Sequence, residues 1–309
     1  MSPDLPESIG PYRVQELLGK AGQSAVFRAT DPAGRAVAVK LFPPSLSRDP
    51  AAVERFHREM RAMAPVTRHP NLVQVLETGQ EGDRLYLAME LVPGTSLDRL
   101  LKQRRLSLPE AFGVMRGICR GLAQGHQHGL LHRSLTPRNV LISPDFSTVK
   151  VSDLGATRFE TAAPSLTATL STGEIRLGAL YYLAPEILEG SGAVDARSDL
   201  YSAGVIFHEM LTGRAPGPKF ALPSQIDPAL SPEIDRVALR CLDRHPGERY
   251  ADAGELLAAL GRLEETLGLR TLTEIRGITQ SARKKPVLFY AGLALLLLAA
   301  LAAGYWLLR

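Results

Sequence analysis

Val37-Ala38-Val39-Lys40 ends a short apolar run on a lysine. An ammonium at the end of a strand must face water or a negative group. Nineteen residues later Glu59 falls on a helical turn, Phe56-His57-Arg58-Glu59. A strand lysine held by a helix glutamate is fixed for contact with phosphate. Further on, His132-Arg133-Ser134-Leu135-Thr136-Pro137-Arg138-Asn139 and then Ser152-Asp153-Leu154-Gly155 gather polar side chains between short apolar pieces. Ser134 is neutral at pH 7 and a poor proton acceptor.

Residues 12–18, 25–30 and 36–41 alternate as short strands split by Gly19, Gly22 and the Asp31-Pro32-Ala33-Gly34 turn. Residues 51–64 are helical, with Val53, Phe56, Met60 and Met63 on one face. Strands are predicted at 72–76 and 85–91, joined by a turn at 79–82. Beyond Pro93-Gly94 the period becomes helical, over 97–101, 108–128, 194–211, 231–242 and 251–267, with apolar pieces at 140–142 and 149–151. A small β-rich lobe therefore precedes a larger helical one.

The chain has 309 residues, 45% hydrophobic and 22% charged, enough to bury a two-lobed core. A net charge of +4, dispersed along the chain, argues against a nucleic-acid partner. Cys119 and Cys241 have no metal-ligand spacing and read as buried or free thiols, with a single disulfide as the alternative. The N-terminal segment lacks an apolar secretory stretch. Residues 286–308 carry no charge. As a helix they reach roughly 34 Å, against about 30 Å for a hydrocarbon core. Tyr290 stands near one end and Tyr305 and Trp306 near the other, and Arg283, Lys284 and Lys285 precede the stretch. A single membrane span with the bulk of the chain in the cytoplasm is expected. The expected organisation is a tail at 1–10, lobes at 11–92 and 93–264, a juxtamembrane linker at 265–285 and the span at 286–308.

Four further runs follow the lysine in order: the His132–Asn139 loop, Asp153-Leu154-Gly155, then Tyr182-Leu183-Ala184-Pro185-Glu186 and Ser198-Asp199. In order and spacing the chain resembles the eukaryotic-type protein kinase family, most like its bacterial serine/threonine members, over about residues 11–262. The resemblance implies an α+β, two-lobed fold with ATP between the lobes. Lys40 would touch the α/β-phosphates and pair with Glu59, beneath a phosphate loop beginning at Gly19. Val26, Ala38 and Leu141 would sandwich the adenine, behind the gatekeeper Met89. The main chain of Glu90 and Val92 would bind its edge. Asn139 and Asp153 would hold Mg²⁺. Glu186 would pair with Arg249, Asp199 would anchor the catalytic loop, and His132 would pack with Met63, Val75 and Leu154.

Four departures cut against phosphate transfer. Where the family carries the aspartate that orients the acceptor hydroxyl, this chain has Ser134. The lysine two residues on is Thr136, and the threonine after Gly178 is Ala179. Of the three glycines of the phosphate loop only Gly19 stands, with Ala21 and Ser24 at the other two. The expectation is a membrane-anchored pseudokinase that binds Mg-ATP and acts as a signalling scaffold or allosteric partner of a cytoplasmic protein or partner kinase. The alternative is a weakly active serine/threonine kinase. Arg133 could grip a phosphate and the hydroxyls at Thr161, Ser165, Thr167, Thr169, Ser171 and Thr172 could accept one, with a plain polar loop as the equal alternative.

Overall fold

Alternating apolar residues at the N-terminal end fold into one antiparallel sheet, because each strand buries only every second side chain. The structure, a computed structural model, describes residues 5–21, 23–159, 180–190, 194–217 and 220–269. The chain divides into a unit Met1–Leu267 and a second unit Gly268–Arg309. The sheet comprises β1 (Ser8–Ile9), β2 (Tyr12–Ala21), β3 (Ser24–Thr30), β4 (Ala36–Leu41), β5 (Val75–Glu81) and β6 (Arg84–Glu90), in the order β1-β2-β3-β4-β6-β5. It reaches into the segment read as a tail, since Ser8 and Ile9 pair with Arg13 and Tyr12. Ile9, Tyr12, Phe27, Val39 and Tyr86 close its core.

Strand β5 differs from the sequence expectation. It starts at Val75 and continues to Glu81, and the turn is the pair Gly82-Asp83. The reason lies across the sheet. Gly79 pairs with Tyr86, and the tyrosine ring occupies the space a Cβ would need. The glycine here serves close packing within a strand and not a turn.

The β2–β3 hairpin overhangs the cleft and is tied at two points. Arg99 donates to the Leu18 carbonyl at 2.8 Å, and Arg84 donates to the Gln23 carbonyl at 2.7 Å. Helix α1 (Pro50–Val66) starts where Asp49 accepts the Ala51 N–H at 3.0 Å, with proline at its first position. Its buried stripe, Phe56, Met60, Met63 and Val66, follows the helical period and faces β5.

Past Glu90 the chain crosses to the second lobe at Gly94. Its φ is +147° and a side chain there would fall on the Ile142 carbonyl oxygen, so only glycine fits. A three-stranded sheet follows, made of β7 (Thr95–Ser96), β8 (Val140–Ile142) and β9 (Val149–Val151). The helices are α2 (Leu97–Gln103), α3 (Leu108–Gln127), α4 (Pro185–Glu189), α5 (Ala196–Thr212), α6 (Pro232–Cys241) and α7 (Ala253–Thr266), with a short turn at Pro223–Ile226. Helix α5 is the centre of this lobe. Leu200, Ala203, Ile206, Phe207 and Met210 are all buried, and α3 and α6 pack on it. Cys119 and Cys241 are buried free thiols, and burial pushes the Cys119 thiol up to about 12.

Among the described residues no helix is long and apolar enough to cross a membrane. The span expected at 286–308 lies outside them, as do Ala179 and the hydroxyls between 161 and 172.

Candidate functional site

The cleft between the lobes brings Lys40, Asn139 and Asp153 together. Lys40 is held on β4 by pairing with Val26 on one side and Leu87 on the other. Its side chain is buried, and the ammonium lies 2.6 Å from Asp153 Oδ1 and over the Phe42 ring. Asp153 follows directly on β9 and Ser152. It adopts φ +61°, and Gly155 adopts φ +67°. This sharp left-handed bend turns the carboxylate back toward β4, and a short polar residue tolerates it better than most. Glu59 sits half-buried on α1.

Burial raises the Asp153 carboxyl, but the Lys40 charge and hydrogen bond, with His132 and Asn139, more than reverse this. The net shift is below the usual carboxylate range, so Asp153 is an anion at neutral pH. Its second oxygen accepts from Asn139 Nδ2 at 3.0 Å and from the Ser152 hydroxyl at 3.3 Å. The other end of the Asn139 amide, Oδ1, accepts from the Thr136 N–H at 3.2 Å and the Thr136 hydroxyl at 2.9 Å. The two groups expected to share a cation thus face each other as donor and acceptor.

Ser134 stands beside this chain of bonds. Its Oγ is buried and has no hydrogen-bond partner among the described residues. An orphaned buried hydroxyl costs about 1–3 kcal/mol. Ser134→Ala is therefore expected to leave stability unchanged or raise it by about 1 kcal/mol in urea denaturation. A loss of comparable size would mean that the hydroxyl has a structural partner.

The loop carrying these residues is suspended from α5. Asp199, almost fully buried, accepts the His132 N–H at 2.8 Å and the Arg133 N–H at 2.7 Å. His126 Nε2 lies 2.8 Å from the same carboxylate, a contact that no motif in the sequence signals. Arg133 has φ +66° and an exposed side chain. His132 is fully buried, with Nε2 3.0 Å from the Ser152 carbonyl. Met63, Val75 and Leu154, its expected companions, line one small cavity with Met89 and Asp153.

Gly19 pairs with Val26 across the overhanging hairpin, and a Cβ at this position would meet no other atom within 4 Å. Ala38 is buried on β4, while Val26, Leu141 and Val92 are half-buried. Glu90 ends β6, and its side chain has a task the sequence did not suggest. Its Oε1 accepts the Gln74 N–H at 2.8 Å and the Lys150 ammonium at 2.6 Å, which ties β6 to β9. Glu186 and Arg249 pair as expected, through two bonds of 2.8 and 2.9 Å. Tyr182 donates to Glu209 at 2.6 Å. Burial, with the Asp98 charge, holds that carboxyl above its usual range.

A family model described as protein kinase domain matches residues 12–256. A probable serine/threonine-protein kinase of Streptomyces coelicolor is 36% identical over 80% of this chain and 39% of its own length. The serine/threonine-protein kinase PknB of Mycolicibacterium smegmatis is 35% identical over 82% of this chain and 43% of its own. The corresponding values for PknL of Mycobacterium tuberculosis are 36%, 84% and 67%. The chain thus spans about two-fifths of the length of the first relatives it matches. The crystal structure of the Mycobacterium tuberculosis PknI kinase domain superposes with a TM-score of 0.65 at 25% identity, covering 82% of this chain and 96% of that one.

Proposed function

Since the chain belongs to the protein kinase domain family, with bacterial serine/threonine kinases among its relatives, we propose that it is a member that has given up phosphoryl transfer. It takes an adenine nucleotide between its lobes and presents a nucleotide-dependent surface to a cytoplasmic protein or partner kinase. The observation that carries this reading is at Ser134. At the position where the family's base receives the acceptor proton stands a buried hydroxyl, neutral and without a partner among the described residues. Lys40 on its rigid strand supports the nucleotide half of the reading.

The family generally uses ATP with Mg²⁺. Anchoring by residues 286–308 belongs to the same proposal. It is supported by their uncharged composition and the basic run before them.

A second reading, a slow serine/threonine kinase, is favoured by the assembled Lys40, Asp153 and Asn139. Phosphoryl transfer depends mainly on positioning and charge, so a missing base slows it without forbidding it.

The test is ATP binding and phosphate transfer on the full chain in detergent or nanodiscs. At ATP 100-fold above Kd, binding stabilises by about 2.7 kcal/mol, a rise of roughly 5 °C or more in Tm. That rise is expected in the natural chain and largely lost in Lys40→Met, with no labelled γ-phosphate passed to a generic protein substrate. Ready phosphorylation that Lys40→Met abolishes would reject the silent reading in favour of the second.

A further inference from the structure

We propose that this chain binds its nucleotide without needing a divalent cation, an inference that rests on the nucleotide reading above. Mg²⁺ is held by oxygen atoms in near-octahedral array, so protein ligands must turn oxygen toward it. Asn139 does the reverse. Its carbonyl end receives two donors from Thr136, at 3.2 and 2.9 Å, and its amino end donates to Asp153 at 3.0 Å. Both neighbours select this orientation, because a main-chain N–H can only donate and a carboxylate can only accept. Turning the amide over would set donor against donor and acceptor against acceptor.

Asp153 is engaged as well. Its Oδ1 is 2.6 Å from the Lys40 ammonium, with side-chain exposures of 5% for Lys40 and 16% for Asp153. The Asp153 carboxylate therefore already has a cation in contact. Among the described residues no group of three or more His, Cys, Asp or Glu is arranged to take over as ligands. Thr136, Asn139, Asp153 and Lys40 are linked in one chain of donors and acceptors. The Thr136 hydroxyl is the link that the lysine of the kinase pattern does not supply. In this arrangement the Asn139–Asp153 pair does not fit a two-oxygen metal site, and Lys40 is the group an incoming phosphate meets.

The experiment titrates the full chain with a fluorescent ATP analogue, once with millimolar Mg²⁺ and once with EDTA. The two dissociation constants are expected to agree within about twofold. Thr136→Val keeps the shape and removes the hydroxyl. The main-chain N–H still sets the amide orientation, but one lone pair of Asn139 Oδ1 is freed for a cation, so a Mg²⁺ enhancement of roughly 3- to 10-fold is expected, the worth of one hydrogen bond, while Thr136→Ser behaves as the natural chain. Binding about tenfold tighter with Mg²⁺ in the natural chain would overturn this inference and leave the nucleotide reading standing. Absence of binding under both conditions would overturn the nucleotide reading, and this inference with it. A Thr136→Val chain still indifferent to Mg²⁺ would overturn the role given to the hydroxyl.

Discussion

Installing two side chains together, Ser134→Asp with Thr136→Lys, is expected to raise transfer of the ATP γ-phosphate by about 10²–10⁴-fold over the natural chain. The aspartate would restore a group able to orient and accept from the substrate hydroxyl. The lysine would balance its charge in a half-buried loop that now holds only neutral groups at these two positions. The same lysine removes the hydroxyl bonded to Asn139, so turnover in the double variant is expected to depend on Mg²⁺. Radiolabelled ATP and a generic serine/threonine substrate provide the measurement, with Lys40→Met added to the double variant as the control. An unchanged rate would place the block in the altered loop at residues 19–24 and end the account built on position 134.

Replacing Arg249 by alanine is expected to destabilise the chain by about 3–5 kcal/mol, because it strands a buried carboxylate. Arg249 is 2% exposed and holds both oxygens of Glu186. It also donates to the carbonyls of Asp243 at 2.8 Å and Arg197 at 3.1 Å. One guanidinium therefore joins α4, the start of α5 and the loop before α7. Burial pushes the Glu186 carboxyl up, but the bonds from Arg249 and Ser198 more than reverse this, leaving it below its usual value. A depressed carboxyl stabilises the fold above its unfolded pKa, and that contribution fades as pH falls through the folded one. Acidification is thus expected to weaken the natural chain, and the deficit of Arg249→Ala should narrow over the same range. Guanidinium denaturation at neutral and acidic pH checks both. A neutral-pH deficit below about 1 kcal/mol would show that the pair is not the tie described.

Much of this architecture was legible in the chain. Period-two and helical patterning place the two lobes, and the order of short motifs brings Glu186 to Arg249 and Asp199 to the loop at 132–133. Spacing says which element end a residue occupies, but not where its side chain turns. Lys40 was legible as a strand-end cation, yet its contact with Asp153 depends on a left-handed bend after β9. Thr136 was legible as a missing lysine, and nothing in its position announces a bond to Asn139. Gly79 was misread because a glycine before Gln-Glu-Gly resembles a turn, while its use is to admit the Tyr86 ring. His126 carries no motif at all, and only the packing of α3 on α5 brings it to Asp199.

The two arginine bonds to the overhanging hairpin have a kinetic corollary. Arg99 belongs to α2 in the second lobe and Arg84 to β6 in the hairpin's own sheet, so one N–H from each side holds the hairpin. Lifting the hairpin away from α2 breaks the Arg99 bond. That bond is worth about 1 kcal/mol. Residence time in the cleft is therefore set partly by side chains that never touch the occupant, and dwell and affinity become separately adjustable.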